Sequence, residues 1–342
     1  IPASYRRGDI EVLIAQQRLN VAVTEQVHAA RIAFYTAVHH ESLHALGEQE
    51  RARLENNVRA QNDRYRAGQA ERGALILAQL AEQELRPRLE ESQRASSGAS
   101  LQLARLMGDD LGPHAKLPDA DGTLQFSTVN SGTDSDGRTA LEDRADLKLA
   151  RLLVRAANED QRIIEAAYLP AITGEISGNY IPVSDIRNGS QGSARRSDDI
   201  ISSELRGGAL FTWRVVDNGK VGGAVARQRA VREINEATLA KLEASVPRDL
   251  ARVQNNLRAL ESRYVALNKA TAAAQQTVNE VQNNLLQGLA SPLEYRSAET
   301  SYLETQTGLL TAVYEENVAL AERDRVTGRY FQFSDDTAGK VH

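Results

Sequence analysis

The residues of this chain best suited to chemistry lie at 40–44, where His40-Glu41-Ser42-Leu43-His44 spells H-E-x-x-H. On a helix, positions i and i+4 share a face, so two imidazoles can hold a zinc ion while the glutamate activates a metal-bound water. Ala45-Leu46-Gly47 extends the pattern toward its longer three-histidine form, but the slot of the third histidine is filled by Glu50. The helical pattern also continues past Gly47, where such a site needs a turn, and no convincing Met-turn follows. A zinc peptidase centred on His40 and His44 therefore stands beside a plainer reading, a solvated polar helix face. Gly219-Lys220-Val221-Gly222-Gly223 lacks the spacing of a phosphate loop. No Ser/His/Asp or Cys/His set can be argued, and nothing calls for a cofactor.

The elements that would carry these residues are unusually long. Arg64-Tyr65-Arg66-Ala67-Gly68 and Leu285-Leu286-Gln287-Gly288-Leu289-Ala290-Ser291-Pro292 each read as a glycine turn between a very long polar helix and a returning one. Between Asn218 and Gln287 no segment reads as a loop, and about 70 residues of helix would span roughly 100 Å at 1.5 Å per residue. A rod of that length suits bridging a compartment better than housing an active site.

Composition agrees. Aromatic residues make up 5% of the 342, and Ala, Gln, Glu, Arg and Leu dominate, as in long packed helices. The net charge of -5 gives no reason to expect nucleic acid or an anionic membrane surface as partner. Absence of cysteine fits an oxidising compartment such as a periplasm. No apolar run reaches the length of a transmembrane helix, so a membrane role must come from β-strands, whose signal is far weaker. Ile1-Pro2-Ala3-Ser4 resembles no part of a signal peptide, so the first residue is expected to lie within a longer precursor.

Along the chain, a long helix is expected over 10–66, a tip turn at 67–72, and a return helix over 73–107 with Pro87 as a kink or local break. Residues 108–138 read as loop, with a short extended piece at Leu124-Gln125-Phe126. A helix over 139–169 opens on a Thr139 cap with Glu142 three residues on. A β-hairpin is expected over 172–216. Its second strand alternates apolar Ile201, Leu205, Ala209, Phe211 and Trp213 against polar Ser202, Glu204, Arg206, Thr212 and Arg214. That length, with aromatics at its end, suits a tilted barrel strand with an interfacial belt; the stretch from Ile172 to Val183 is the poorer partner. Helical period then returns over 218–287, with a coiled-coil seam at Leu257, Leu260, Tyr264, Leu267, Thr271, Ala274, Val278, Val281 and Leu285. A tip turn at 288–291, a return helix over 292–326 and a flexible tail over 327–342 complete the pass.

These residues resemble the TolC family of bacterial outer-membrane efflux and secretion channels. The resemblance rests on Tyr168-Leu169-Pro170-Ala171-Ile172, on Phe211-Thr212-Trp213-Arg214-Val215-Val216-Asp217-Asn218-Gly219, on the turn at Gly288-Leu289-Ala290-Ser291-Pro292, and on Thr139-Ala140-Leu141-Glu142-Asp143-Arg144. It implies a mainly α fold with a small β part. Long antiparallel coiled-coil helical hairpins, forming a periplasmic α-barrel, would join strands of a shared trimeric transmembrane β-barrel. Residues 1–138 would be a first repeat lacking its beginning, and 139–330 a second. Asp9 to Gly68 is 59 positions and Asp217 to Gly288 is 71, a mismatch of about 18 Å of helix. Either Asp9 is not the counterpart of Asp217, or residues missing near the N-terminus account for it, and the second explanation is the favoured one.

The resemblance further implies a passive exit duct of a tripartite efflux pump or type I secretion system, not an enzyme. Its partners would be two further copies of the chain, a periplasmic adaptor, an inner-membrane transporter and outer-membrane lipid. Arg66, Gly68, Gly288, Leu289 and Ser291 would form tips that meet the adaptor. Phe211 and Trp213 would sit at the membrane interface. Glu294 would contribute to a carboxylate ring that favours cations, or else be an ordinary surface glutamate. A soluble coiled-coil scaffold is the remaining alternative, which the long strand at 201–215 opposes.

Overall fold

The structure, a computed structural model, describes residues 2–69, 71–108, 122–127, 140–182 and 201–333. Five helices and two strands make up the described chain: α1 Pro2–Arg66, α2 Arg72–Met107, α3 Ala145–Glu165, β1 Ala171–Pro182, β2 Ile201–Thr212, α4 Lys220–Leu286 and α5 Pro292–Val326. Thr139 lies outside the described residues, as does most of 108–138. A single helical turn at 140–143 breaks at Arg144 before α3 begins, and a 3-10 turn, Ala166–Tyr168, ends the segment short of Leu169. The helix expected over 139–169 is thus three pieces. Helix α1 begins at Pro2 instead of near residue 10.

Proline interrupts neither of the two helices that hold one in their interior. Pro87 lies within α2, and Pro247, which the sequence reading passed over, lies within α4. Each removes one i→i−4 hydrogen bond. The neighbours of Pro247 compensate through packing, for Val246 and Leu250 are both buried in a core with Leu147, Val253 and Val326.

Contacts divide the chain into two compact units, one of residues 1–12 and 151–238, the other of 13–150 and 239–342. The first contains the sheet, a lone antiparallel ribbon of β1 and β2 whose register pairs Ala171 with Thr212 and Pro182 with Ile201. Trp213, just beyond β2, donates from Nε1 to the carbonyl of Tyr168 at 3.4 Å. Arg6 and Arg7 pair with Glu159 and Asp160 at 2.9 Å each, tying the start of α1 to α3.

In the second unit, the coiled-coil seam of α4 can be read residue by residue. Between 261 and 285 the half-buried positions are Tyr264, Leu267, Thr271, Ala274, Val278, Val281 and Leu285, and every other residue is exposed. Tyr264 stacks on Phe126 with centroids 3.9 Å apart. A second core joins Ala33, Ala37 and Val38 of α1 to Ala99 and Leu103 of α2. The tail departs from expectation over 327–333. Thr327 and Tyr330 are buried, and the backbone N–H of Phe333 donates to Asn20 Oδ1 at 2.9 Å. Residues 334–342 lie outside the described residues.

Candidate functional site

Two features could carry function: the pair of helix-ending turns in the second unit and the ribbon in the first. Both turns end on glycine in the left-handed region, Gly68 at φ 71° and Gly288 at φ 75°. The hydrogen bonds are the same in each. Gly68 N–H donates to the Tyr65 carbonyl and Gln69 N–H reaches back to that of Arg64; Gly288 and Leu289 do likewise to Leu285 and Asn284. This paired closure satisfies orphan carbonyls at a helix end, and only glycine takes that φ without steric penalty. Arg66, Gly68, Gly288, Leu289 and Ser291 are all exposed. One cavity is lined by Arg64, Leu285 and Tyr295, so residues beside the two turns are brought together.

Glu294 proves to be more than a surface charge. Ser291 Oγ accepts from the Glu294 N–H at 3.2 Å, while Glu294 Oε2 accepts from the Ser291 N–H at 2.7 Å. This reciprocal capping box holds the start of α5. The backbone N–H of Ser291 keeps the carboxyl below its ordinary range, so it stays charged. Ser-Pro-Leu-Glu was legible as S-x-x-E in the sequence. Asp217 does the same for α4: its carboxylate accepts from Val221 N–H at 2.7 Å and Gly219 N–H at 3.0 Å, and these bonds lower its pKa.

The structure does not assemble a zinc site at 40–44 from the described residues. Helix α1 runs unbroken from Pro2 to Arg66, so Glu50, ten residues after His40, lies about 15 Å further along the axis. His40 and His44 are half-buried, and the neighbouring His39 is buried against Tyr314, ring on ring at 4.6 Å. Among the described residues no group of three or more His, Cys, Asp or Glu could hold a metal.

The ribbon has the more telling geometry. Its register puts Ile172 opposite Phe211, Ile176 opposite Gly207, and Gly178 opposite Leu205, all on one face. The other face carries Glu175, Ser177 and Asn179 beside Glu204 and Arg206. Ile176 is 83% exposed and Leu205 80%. Glycines at 174 and 178 dilute the apolar alternation of β1, which is why it reads as the poorer strand. Both outer edges of the ribbon lack a partner strand among the described residues. Phe211 and Trp213 are both exposed at one end of β2.

What sequence reasoning missed is a set of buried carboxylates in the second unit. Glu50, Glu299 and Glu316 are each buried, and no spacing signal separates them from the many solvated glutamates around them.

The family described as outer membrane efflux protein matches residues 137–329. Among curated proteins none matches the chain in sequence. Several solved structures do match in fold. The Campylobacter jejuni CmeC outer membrane channel aligns with a TM-score of 0.79 at 13% identity, over 99% of this chain and 70% of that one. A Pseudomonas aeruginosa membrane protein gives 0.75 at 19%, over 92% and 70%. The Vibrio cholerae outer membrane protein VceC gives 0.73 at 18%, over 96% and 75%.

Proposed function

The chain belongs to the outer membrane efflux protein family, and from that premise we propose that it is the passive exit duct of a tripartite pump or secretion system. The family is one of channels, not of enzymes, and its place is the outer membrane. The observation that carries the reading is the ribbon: 12-residue strands with one apolar and one polar face, exposed side chains, and edges with no partner strand among the described residues. Twelve residues at about 3.3 Å each exceed what a tilted membrane strand needs, and backbone at membrane depth must close into a barrel. Closure here calls for further strands, both from the part of the first repeat expected upstream and from further copies of the chain, and a homotrimer supplies the copies.

In that assembly the apolar face meets lipid, with Phe211 and Trp213 at the interface. The exposed turn residues Arg66, Gly68, Gly288, Leu289 and Ser291 offer a docking rim for a periplasmic adaptor, and an inner-membrane transporter supplies the energy. Glu294, charged and exposed beside the turn, lines a constriction in three copies. The half-buried seam of α4 leaves each helix able to pack against a neighbour. Purification tests the reading. The protein should fractionate with outer membranes, require detergent, cross-link as a trimer and conduct ions in planar bilayers. A detergent-free monomer or dimer would overturn it in favour of a coiled-coil scaffold.

A further inference from the structure

Below the turns, helix α1 meets α5 across two acidic side chains. Glu50 is 6% exposed and Glu299 5%. Such burial of an ionised carboxylate is costly unless it is paired and hydrogen-bonded. The pairing here is incomplete. Glu50 Oε2 is buried without a hydrogen-bond partner, and its nearest cation, Arg53 Nη1, lies 3.8 Å away. That guanidinium is shared with the Tyr302 ring, 5.6 Å from its centroid. Glu299 Oε1 accepts one bond, from Tyr295 O–H at 3.3 Å. Arg296, the next cation on α5, is engaged by Glu84 of α2 at 3.3 Å. One distant arginine therefore faces two mutually repelling carboxylates, with Tyr295 as the remaining titratable neighbour.

We propose that Glu50 and Glu299 form a proton-holding joint between α1 and α5, packed when protonated and loosened when both groups are ionised. A proton supplies what the geometry lacks. It neutralises one charge and so removes the repulsion between the two carboxylates. The inference concerns the packing of two helices and does not depend on the channel reading.

Burial, then repulsion from Glu299, pushes Glu50 from 4.5 to about 7, and burial raises Glu299 as well. A folded-state pKa raised above the unfolded value contributes stability that is complete below the unfolded pKa and is lost as pH rises through the folded one. The joint is thus tight in mild acid and weak above neutrality.

Hydrogen exchange of the purified protein, in detergent or without it, tests this, read at segments 46–61 and 295–303 and corrected for intrinsic exchange. Between about pH 6 and about pH 8 the local opening equilibrium should rise about tenfold. Glu50→Gln should flatten that rise, and Glu299→Gln should do so too, so either variant serves if the other does not fold. Glu304→Gln, at an exposed position of α5, should leave it intact. Unchanged protection in the wild type across this range, or an undiminished rise in a folded Gln variant, would overturn the proposal. So would full protection at about pH 8 restored by calcium, since the pair would then hold a cation instead of a proton.

Discussion

Glycine 328 and glycine 288 share a left-handed φ, 72° and 75°, but not a neighbourhood. A Cβ on Gly288 would meet nothing within 4 Å, whereas one on Gly328 would lie 2.9 Å from the backbone at Asp143 and Arg144. Alanine at 288 should therefore cost about 1 kcal/mol, the backbone penalty alone. At 328 the clash adds to it, for roughly 2–4 kcal/mol in total. Denaturant midpoints of the two variants should separate accordingly, and equal midpoints would refute the difference in packing. Glu294 invites a functional contrast. Glu294→Gln retains an oxygen that can accept from Ser291 N–H while deleting the charge, so α5 should still start at 292. Bilayer reversal potentials should nevertheless show weakened preference for cations; unaltered selectivity would leave Glu294 a cap and nothing more. The glycines were readable in the sequence because turn chemistry is local. The second role of Glu294 was equally local, in Ser291, and needed only the S-x-x-E spacing to be noticed.

At the scale of elements, the ribbon makes an asymmetric prediction. Ile176 and Ser177 are adjacent but point to opposite faces. Arginine at 176 should destabilise the assembled protein by roughly 2–4 kcal/mol if that face meets lipid, while arginine at 177 should be close to neutral. Folding titrations in lipid, or the yield of heat-resistant trimer, would separate them. Equal effects would remove the lipid face. A second element-scale prediction concerns α5, where Glu316 is buried and accepts from the Ser127 N–H at 3.2 Å. Burial outweighs that bond and pushes its carboxyl up to about 7. Stability from this group is complete below the ordinary carboxylate pKa and falls as pH rises through about 7, so Glu316→Gln should stabilise the fold by about 1 kcal/mol near pH 8 and little near pH 5. Helices α4 and α5 were legible because their period, turn and cap signals agree over long spans. Arg144, by contrast, breaks a helical pattern for a reason written elsewhere in the chain. Its guanidinium reaches Asp146 at 2.7 Å and Asp249 at 3.7 Å, and its backbone abuts Gly328. Such tertiary partners leave no periodic trace, which is also why the buried Glu50 and Glu299 looked like solvated residues.

For the molecule as a whole, the order of strand, turn and helix could be read because local backbone chemistry sets their spacing, and the channel family followed from the resemblance that those ordered motifs carry. The trimer entered only through the resemblance, and what favours the proposed assembly in the structure is the ribbon, whose edges have no partner strand among the described residues. Trimer cross-linking should fall sharply when the apolar face is charged and persist when the polar face is, which ties oligomer formation to the strands. The unpaired edges have a further consequence, for biogenesis. In the proposed assembly, until its neighbours arrive, each newly made subunit would display a sticky β-template whose edges have no partner strand among the described residues. The strands Ala171–Pro182 and Ile201–Thr212 should accordingly be what cellular chaperones shield first, and any delay in assembly should be felt there before the helices lose their structure.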